Sequence, residues 1–373
     1  METKQYPFYI KATVILFGLI LAVYAMAVMR TILLPLAFSL VIAILLNPLN
    51  NRLQKRGVPK IVAISLTMLL ALILFSGVIY FLSTQLMRFG DSIPQFKQKL
   101  DQMITESKGY LQSHFGIALK KQNQLLSEGL QKGQALLAQS LGSALGTLSL
   151  AFLIPVYVFL ILFYKTLIIN FLYEAFSEEN SRKVSDILDQ MKSAIQSYMV
   201  GLLLEAVVVA IMNSAALLLL GVQYAILLGV IGAILNMLPY IGGIIAIALP
   251  ILIATATKDG YGTQLGILAA YAVIQFIDNN ILVPRIVSSK VQINALFSIL
   301  IVLLGGTLWG VGGMFLSIPF VAILKIIFDR INDLRPWGKL LGDEIPTRHK
   351  GQIWNRRKKQ PSVSEELVEK SEK

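Results

Sequence analysis

The chain reads IGGIIAIALP at residues 241–250 and VGGMFLSIP at residues 311–319. In each stretch a Gly-Gly pair is followed by apolar residues up to a proline, and the two pairs lie 70 residues apart. Glycine and proline weaken the helical hydrogen-bond ladder, and bare backbone at membrane depth is tolerated only where protein or a water-filled cavity covers it. A matched pair of broken apolar segments marks the binding site of many secondary transporters. The pattern therefore predicts a transport protein.

Composition places the chain in a membrane. Of its 373 residues 55% are hydrophobic and 14% are charged, against roughly 25% charged residues in an ordinary soluble domain. The net charge of +12 would point to nucleic acid in a soluble chain. Here the basic residues gather in a few loops and the tail, as the positive-inside rule describes, so we expect the lipid bilayer as partner and no nucleic acid. The absence of cysteine excludes disulfides and thiolate metal sites.

The apolar blocks predict an all-α polytopic membrane protein with six crossings, at 8–29, 31–47, 61–82, 146–165, 198–220 and 262–280. The broken segments, 222–257 and 295–328, are too short for two full crossings, which need about 40 residues. We expect each to form a re-entrant helical hairpin. This divides the chain into a three-helix membrane segment (1–82), an amphipathic helical insert (83–145), a transport core (146–330), and a basic, then mixed-charge tail (331–373).

The charged loops predict the orientation. The connection 47–60 carries four basic residues and no acid, which places it in the cytoplasm, and the basic tail is assigned to the same side. Both termini are then cytoplasmic, the insert 83–145 is external, and the segment 171–197 is a cytoplasmic amphipathic helix. The two hairpins open to opposite sides of the membrane, as the halves of an inverted repeat do.

Glu205 is the one acid well inside a predicted crossing. A carboxylate at the centre of a membrane helix costs roughly 2.5 to 3.5 kcal/mol, so it should be protonated, paired or in contact with water. Glu205 is therefore a candidate coupling group for protons or cations; a structural hydrogen bond is the alternative. Asn213 lies two turns further along the same helix face, where it either lines the same cavity or bonds a neighbouring helix.

A second polar group, Asp278-Asn279-Asn280, closes a predicted crossing. Its oxygen atoms suit a small hard cation or a polyol, so Asp278 and Asn279 are further coupling candidates. The alternative is a polar helix cap paired with Arg285. Together with the two Gly-Gly segments, these positions predict a substrate cavity formed by Asn236, Pro239, Tyr240, Gly242, Gly243, Gly305, Gly306, Gly312, Gly313 and Pro319.

Several sequence patterns of enzymes are missing. The chain contains no Gly-x-x-x-x-Gly-Lys phosphate loop, no His-Glu-x-x-His helix and no Gly-x-Ser-x-Gly elbow. We therefore expect no catalytic residues, no cofactor and no resident metal, only coupling to protons or sodium. From another class of function, a non-transporting membrane scaffold built on the amphipathic helices is the competing hypothesis.

Several spaced motifs resemble one family. The sequence is similar to the AI-2E (autoinducer-2 exporter) transporter family at Leu34-Pro35, Leu46-Asn47-Pro48-Leu49, Arg56-Gly57-Val58-Pro59, Leu238-Pro239-Tyr240-Ile241-Gly242-Gly243, Asp278-Asn279-Asn280, Pro284-Arg285, Leu303-Leu304-Gly305-Gly306, Trp309-Gly310 and Ile318-Pro319. The resemblance spans about residues 10–330. The sequence departs from the family pattern at Ala295, where many members have proline. The resemblance therefore does not predict how the chain bends before the second hairpin.

The resemblance implies a function that composition and spacing do not supply. It implies a bacterial inner-membrane permease that exports the quorum-sensing furanone autoinducer-2 or a similar small metabolite. For other members it implies sodium (or lithium)/proton antiport. It also implies a homo-oligomer, in particular a pentamer, in which each subunit has its own pathway.

Overall fold

The computed structural model describes residues 7–90, 144–175, 178–238, 242–258, 260–287 and 293–343. These residues form helices and no strands, and within them seven helices are long and apolar enough to cross a membrane. The predicted all-α polytopic fold is confirmed. In chain order the elements are α1 (Phe8–Val28), α2 (Arg30–Lys55), α3 (Lys60–Gly90), α4 (Ala144–Ala175), α5 (Glu178–Leu219), α6 (Ala225–Asn236), α7 (Gly242–Thr257), α8 (Gly262–Ile277), a π-helix (Asp278–Val287), α9 (Ala295–Arg330), a 3₁₀ turn (Asn332–Leu334) and α10 (Arg335–Leu341).

The six predicted crossings fall on α1 to α5 and α8, and α2 to α5 are longer than the apolar runs alone indicated. The amphipathic stretch within 171–197 is not a separate helix, because from Glu178 onward it is continuous with the crossing as the first half of α5. Most of the predicted insert, residues 91–143, lies outside the described residues, as does the tail from residue 344.

The first Gly-Gly segment doubles back as a pair of short helices. A methyl group on Gly232 of α6 would lie 3.5 Å from Cβ of Ala246 in α7, and one on Gly243 would lie 3.6 Å from Oδ1 of Asn236. Residues pair in reverse order, so α6 and α7 are antiparallel; we call them hairpin 1. Its tip falls at residues 239–241, which are outside the described residues and include the predicted cavity residues Pro239 and Tyr240.

The second Gly-Gly segment also doubles back, as two helical arms within α9 that meet at Gly310. Gly310 interrupts α9 with φ 65° and ψ −148°, a conformation that glycine adopts without a steric cost. The Ser317 hydroxyl, on the second arm, donates to the backbone oxygen of Ile301 on the first arm over 3.1 Å. In a straight helix those residues would lie about 24 Å apart. We call α9 hairpin 2. Asn294 caps the start of α9, because its Oδ1 accepts a hydrogen bond from the Phe297 amide. The chain therefore enters this helix at Asn294 without a proline at position 295.

Three apolar clusters hold the bundle together. One joins α2, α3 and α4 around Ile64, a second joins α2 to α5 and hairpin 2 around Leu316, and a third joins the end of α5 to hairpin 1 and α8 around Ile267. Helix α5 therefore contacts both hairpins. Helix α1 is peripheral: none of its apolar window is buried.

Candidate functional site

A polar cleft lies where α5, hairpin 1 and the junction of α8 with the π-helix meet. α5 contributes Val209 and Asn213, hairpin 1 contributes Gly232, Asn236, Gly243 and Ala246, and the junction contributes Tyr271, Ile274, Gln275 and Asp278. The helices approach closely because α6 carries glycine where it faces α5: a methyl group on Gly232 would lie 3.3 Å from Nδ2 of Asn213. Small residues let membrane helices approach closely in this way.

Asp278 is the centre of the hydrogen bonding in this cleft. Its side chain is 2% exposed. Its Oδ2 accepts from Nδ2 of Asn236 over 2.9 Å and from Nε2 of Gln275 over 3.3 Å. Asp278 is also the first residue of the π-helix, and π-helical turns occur frequently at functional sites. The last residue of α6 is therefore bonded directly to the acid at which α8 passes into the π-helix.

Glu205 lies beside Asp278. Glu205 is 6% exposed, and its carboxyl group lies within electrostatic range of that of Asp278. Two ionised carboxylates offer acceptors only, so a proton between them is required for any attractive contact. Two like charges in a buried site also repel each other, so holding both carboxylates ionised there is costly. The arrangement can therefore hold and release one proton inside the membrane.

The cleft also contains buried polar atoms without a partner. Among the described residues, four buried side-chain atoms make no hydrogen bond, and three of them belong to residues of this cleft: Oδ1 of Asn213, the Tyr271 hydroxyl and Oδ1 of Asp278. Leaving such an atom unpaired costs about 1 to 3 kcal/mol. Their concentration in one cleft indicates a place that a ligand, an ion or a water molecule completes.

The cleft is closed in this conformation. Its free volume is about 10 Å³, which is close to the minimum that one water molecule requires. A larger solute needs the surrounding helices to separate. Since hairpin 1 and α8 are joined by the Asn236–Asp278 hydrogen bond, that contact must change when the site opens.

The structure brings together part of the predicted site. Glu205, Asn213, Asn236, Gly243 and Asp278 converge at the cleft. Gly242 is buried against the backbone oxygen of Leu235 within hairpin 1. Asn279 is exposed and accepts from Nε2 of Gln275 over 3.2 Å. The alternative pairing of Asp278 with Arg285 is not seen: Arg285 is exposed, and no ion pair joins the two in the described part of the chain.

The expectation of one cavity shared by both hairpins needs correction. Gly305 and Gly313 of hairpin 2 are packed backbone to backbone, and Gly306 packs on the Met314 side chain. Gly312 faces α2, where an added methyl group would lie 3.1 Å from Cδ1 of Leu34. Pro319 is buried in the second arm. None of these five residues lines the cleft, because the glycines are used to bring helices together.

Six cleft residues were missed from sequence: the apolar Val209, Ala246 and Ile274, together with Gly232, Tyr271 and Gln275. Gln275 and Tyr271 lie three and seven residues before Asp278, so helical spacing places them on the face of α8 that leads to Asp278. This spacing is the sequence pattern that could have identified Gln275 and Tyr271. Gly232 carried no signal, since a glycine within an apolar helix does not show what it faces. The described residues contain no group of three His, Cys, Asp or Glu side chains that would hold a metal ion.

These features define an integral multi-pass membrane protein with a carboxyl pair buried beside a re-entrant hairpin. A sequence profile described as AI-2E family transporter matches residues 14–333. The chain therefore belongs to the AI-2E transporter family, and it is a membrane transporter. Membership of a transporter family argues against the competing hypothesis that the protein is a non-transporting membrane scaffold.

Individual relatives cover nearly the whole chain. The AI-2 transport protein TqsA of Escherichia coli is 24% identical over 336 residues, which cover 90% of this chain and 96% of the relative. A Haemophilus influenzae protein named "Putative transport protein" is 28% identical over 320 residues, covering 84% and 90% of the two chains. The E. coli protein named "Putative permease PerM" is 27% identical over 313 residues, covering 79% and 85%.

Proposed function

We propose that this chain is a proton-coupled secondary transporter that exports autoinducer-2 or a similar small hydroxylated metabolite. The observation that carries the proposal is the buried Glu205–Asp278 carboxyl pair in contact with the tip region of hairpin 1. A charge buried at membrane depth is costly unless it is paired, so the pair keeps a proton while the cleft is closed. When the cleft opens, the proton can pass to water while the carboxylates accept hydrogen bonds from the bound solute and from water, which couples the two movements.

The unpaired atoms of the cleft favour a hydroxylated solute. Oδ1 of Asn213 and Oδ1 of Asp278 are acceptors, and the Tyr271 hydroxyl both donates and accepts. A small polyol supplies several donors and acceptors at once and carries no charge to bury. The relative TqsA is named as an AI-2 transport protein, and this name supports a furanone of the same chemical class as the substrate here.

The same atoms support a second candidate, sodium (or lithium)/proton antiport. Hard cations take carboxylate, carbonyl and hydroxyl oxygens as ligands, and the cleft brings two carboxyl groups together with the Asn213 and Tyr271 oxygens. In this case the cation replaces the shared proton directly. The two candidates differ in what exchanges with protons, so one flux assay separates them.

The assay uses purified protein in liposomes with a pH gradient, presented in turn with autoinducer-2, sodium and lithium. We expect solute flux from the wild type and loss of that flux in Asp278→Asn, which keeps the shape of the side chain and cannot share a proton in the same way. The matched control is Asp333→Asn, because Asp333 is an exposed acid far along the chain from the cleft. Equal flux in Asp278→Asn and wild type would overturn the proposal.

We further propose that the protein lies in the bacterial inner membrane, with both termini cytoplasmic, as a homo-oligomer, specifically a pentamer. The exposed apolar side chains of α1, such as Phe17 at 62% exposure, supply a surface for lipid or for a neighbouring subunit. The mass of the particle in lipid nanodiscs tests the assembly, and a value corresponding to one chain contradicts it.

A further inference from the structure

A second, larger cavity, open to the surface, lies along the middle of α5. Its volume is about 560 Å³. α5 contributes most of its wall, including Lys192, Gln196, Ser197, Gly201 and Leu204, and Ile286 of the π-helix contributes the opposite side. We call this cavity the vestibule. It is distinct from the cleft around Asp278, with which it shares no lining residue.

The vestibule leads toward the carboxyl pair. Its α5 residues run from Asp189 to Leu204, a length of about 22 Å along the helix. Gly201 lies one turn before Glu205 on the same face of α5. Ile286 packs in one apolar cluster with Tyr198, Leu202 and Met237, the last of which follows α6. The lining of the vestibule ends at Leu204, the residue before Glu205, beside this layer of side chains from α5, the π-helix and hairpin 1.

The wall of the vestibule has the chemistry of a water-filled passage. Gln196 and Ser197 are half-buried, immediately before the predicted crossing that begins at residue 198. Polar side chains at the entry to a membrane crossing are costly against lipid and favourable against water. The glycine at position 201 adds no side chain to the wall and widens the passage where it approaches Glu205. A small polar solute fits this surface better than a lipid chain does.

The mouth of the vestibule can be assigned to one side of the membrane. Lys165 donates from Nζ to Oδ1 of Asn47 over 3.0 Å, and it lies within electrostatic range of Lys60 and of Lys192. Lys192 lines the vestibule. The mouth is therefore at the same end of the bundle as the basic connection 47–60, which the positive-inside rule assigns to the cytoplasm.

We propose that the vestibule is the cytoplasmic entrance through which a small polar solute reaches the Glu205–Asp278 pair, and that the described conformation is open to this side up to the layer around Ile286. This inference rests on the proposed transport function and adds the route and the side from which the solute enters. It predicts that water and dissolved reagents reach Gln196 and Ser197 from the side of the 47–60 connection.

The chain contains no cysteine, so single-cysteine variants report on access without a background. The test compares Ser197→Cys and Gln196→Cys with Leu203→Cys and Val207→Cys, using a charged, membrane-impermeant methanethiosulfonate. Leu203 and Val207 are on the same helix and are 44% and 58% exposed, outside the vestibule. We expect the vestibule cysteines to react at least about tenfold faster, because the thiolate is the reactive form and lipid suppresses it.

A further variant, Lys55→Cys, marks the side of the exposed basic connection. Reaction of Ser197→Cys and Gln196→Cys from the Lys55→Cys side supports the proposal. Rates no faster than those of Leu203→Cys, or reaction only from the opposite side, overturn it. Two vestibule positions are used so that poor folding of one variant leaves the other as the test.

Labelling does not require transport, so the two proposals fail separately. Rapid labelling in a protein that moves no solute supports the vestibule and overturns the proposed function. Normal flux with unreactive cysteines overturns the vestibule and leaves the function standing. In a transporting protein, complete modification of Ser197→Cys should stop the flux, and unchanged flux after modification would show that the solute takes another route.

Discussion

Hairpin 1 and hairpin 2 contain the same Gly-Gly-to-Pro pattern, yet they make different contacts. The arms of hairpin 1 are two separate helices, and its end residue Asn236 is bonded to an acid of the crossing helix. The arms of hairpin 2 are joined by Ser317, whose hydroxyl donates to the backbone oxygens of Ile301 and Gly313. Its tip is attached to the periphery, where Trp309 donates from Nε1 to the Met26 oxygen over 3.0 Å.

The difference shows that broken membrane helices are not by themselves binding sites. Glycine permits both an exposed backbone and the close contact of two helices, and only the neighbouring polar residues distinguish these uses. Hairpin 1 has Asn236, Asn213 and Asp278 around it, whereas hairpin 2 has glycine, serine and apolar side chains. We therefore assign ligand binding to hairpin 1 and a structural, stabilising role to hairpin 2. The following variants test that assignment.

The largest effect is expected from Gly305→Ala in hairpin 2. The added methyl group would overlap Ser317 and lie 2.6 Å from the Gly313 oxygen, and forcing a packed interface apart costs about 1 to 3 kcal/mol. In hairpin 1, the methyl group of Gly243→Ala would lie 2.9 Å from Oε1 of Gln275 and 3.6 Å from Oδ1 of Asn236, both of them ends of side chains rather than backbone. Thermal unfolding in detergent should show a large loss of stability for the first variant and a small one for the second. Equal losses would remove the distinction between the hairpins.

The next effect concerns binding by hairpin 1. Asn236→Ala removes the amide that donates to Oδ2 of Asp278, and a hydrogen bond to a charged group contributes about 1.5 to 3 kcal/mol. We expect solute flux to fall by about one to two orders of magnitude, with little change in the amount of folded protein. Asn280→Ala is the control, since Asn280 is exposed and bonds only the Phe276 oxygen. A similar loss in both variants would contradict a specific role.

A smaller effect is expected at the turn of hairpin 2. Gly310→Ala places a side chain at φ 65° and ψ −148°, a region that essentially only glycine populates, at a cost of about 1 to 3 kcal/mol. No atom lies within 4 Å of the added methyl group, so the whole effect is backbone strain. The unfolding temperature should fall moderately while transport continues. Gly18→Ala is the comparison, because Gly18 is helical and equally open; a larger loss there than at Gly310 would count against the strain argument.

The smallest effect is expected from Trp309→Phe. This change keeps an aromatic ring beside Phe320 and removes the hydrogen bond to the Met26 oxygen. The net value of one such bond is about 1 kcal/mol. Unfolding should occur at a slightly lower temperature, and flux should remain close to that of the wild type. Abolished flux in a folded variant would mean that the tip of hairpin 2 takes part in transport after all.

Sequence reasoning predicted the architecture better than the site. Helical periodicity and apolar length located the crossings and the segments that double back, because these depend on local properties of the chain. Glu205, Asn213 and Asp278 were found because a polar residue in an apolar run has few explanations. Their convergence with Asn236 depends on how α5, hairpin 1 and α8 pack, and no local pattern records that packing. For the same reason the sequence did not show that Gly305 faces Gly313 while Gly243 faces a carboxamide.

The most direct test of the central claim is a measurement of proton movement in liposomes containing the Glu205→Gln variant. If the Glu205–Asp278 pair carries the coupled proton, wild-type protein moves protons in proportion to the solute or cation. The variant should then move none, while Asp333→Asn behaves as the wild type. Proton movement of normal size in Glu205→Gln would show that the coupling group lies elsewhere and would contradict the role assigned to the pair.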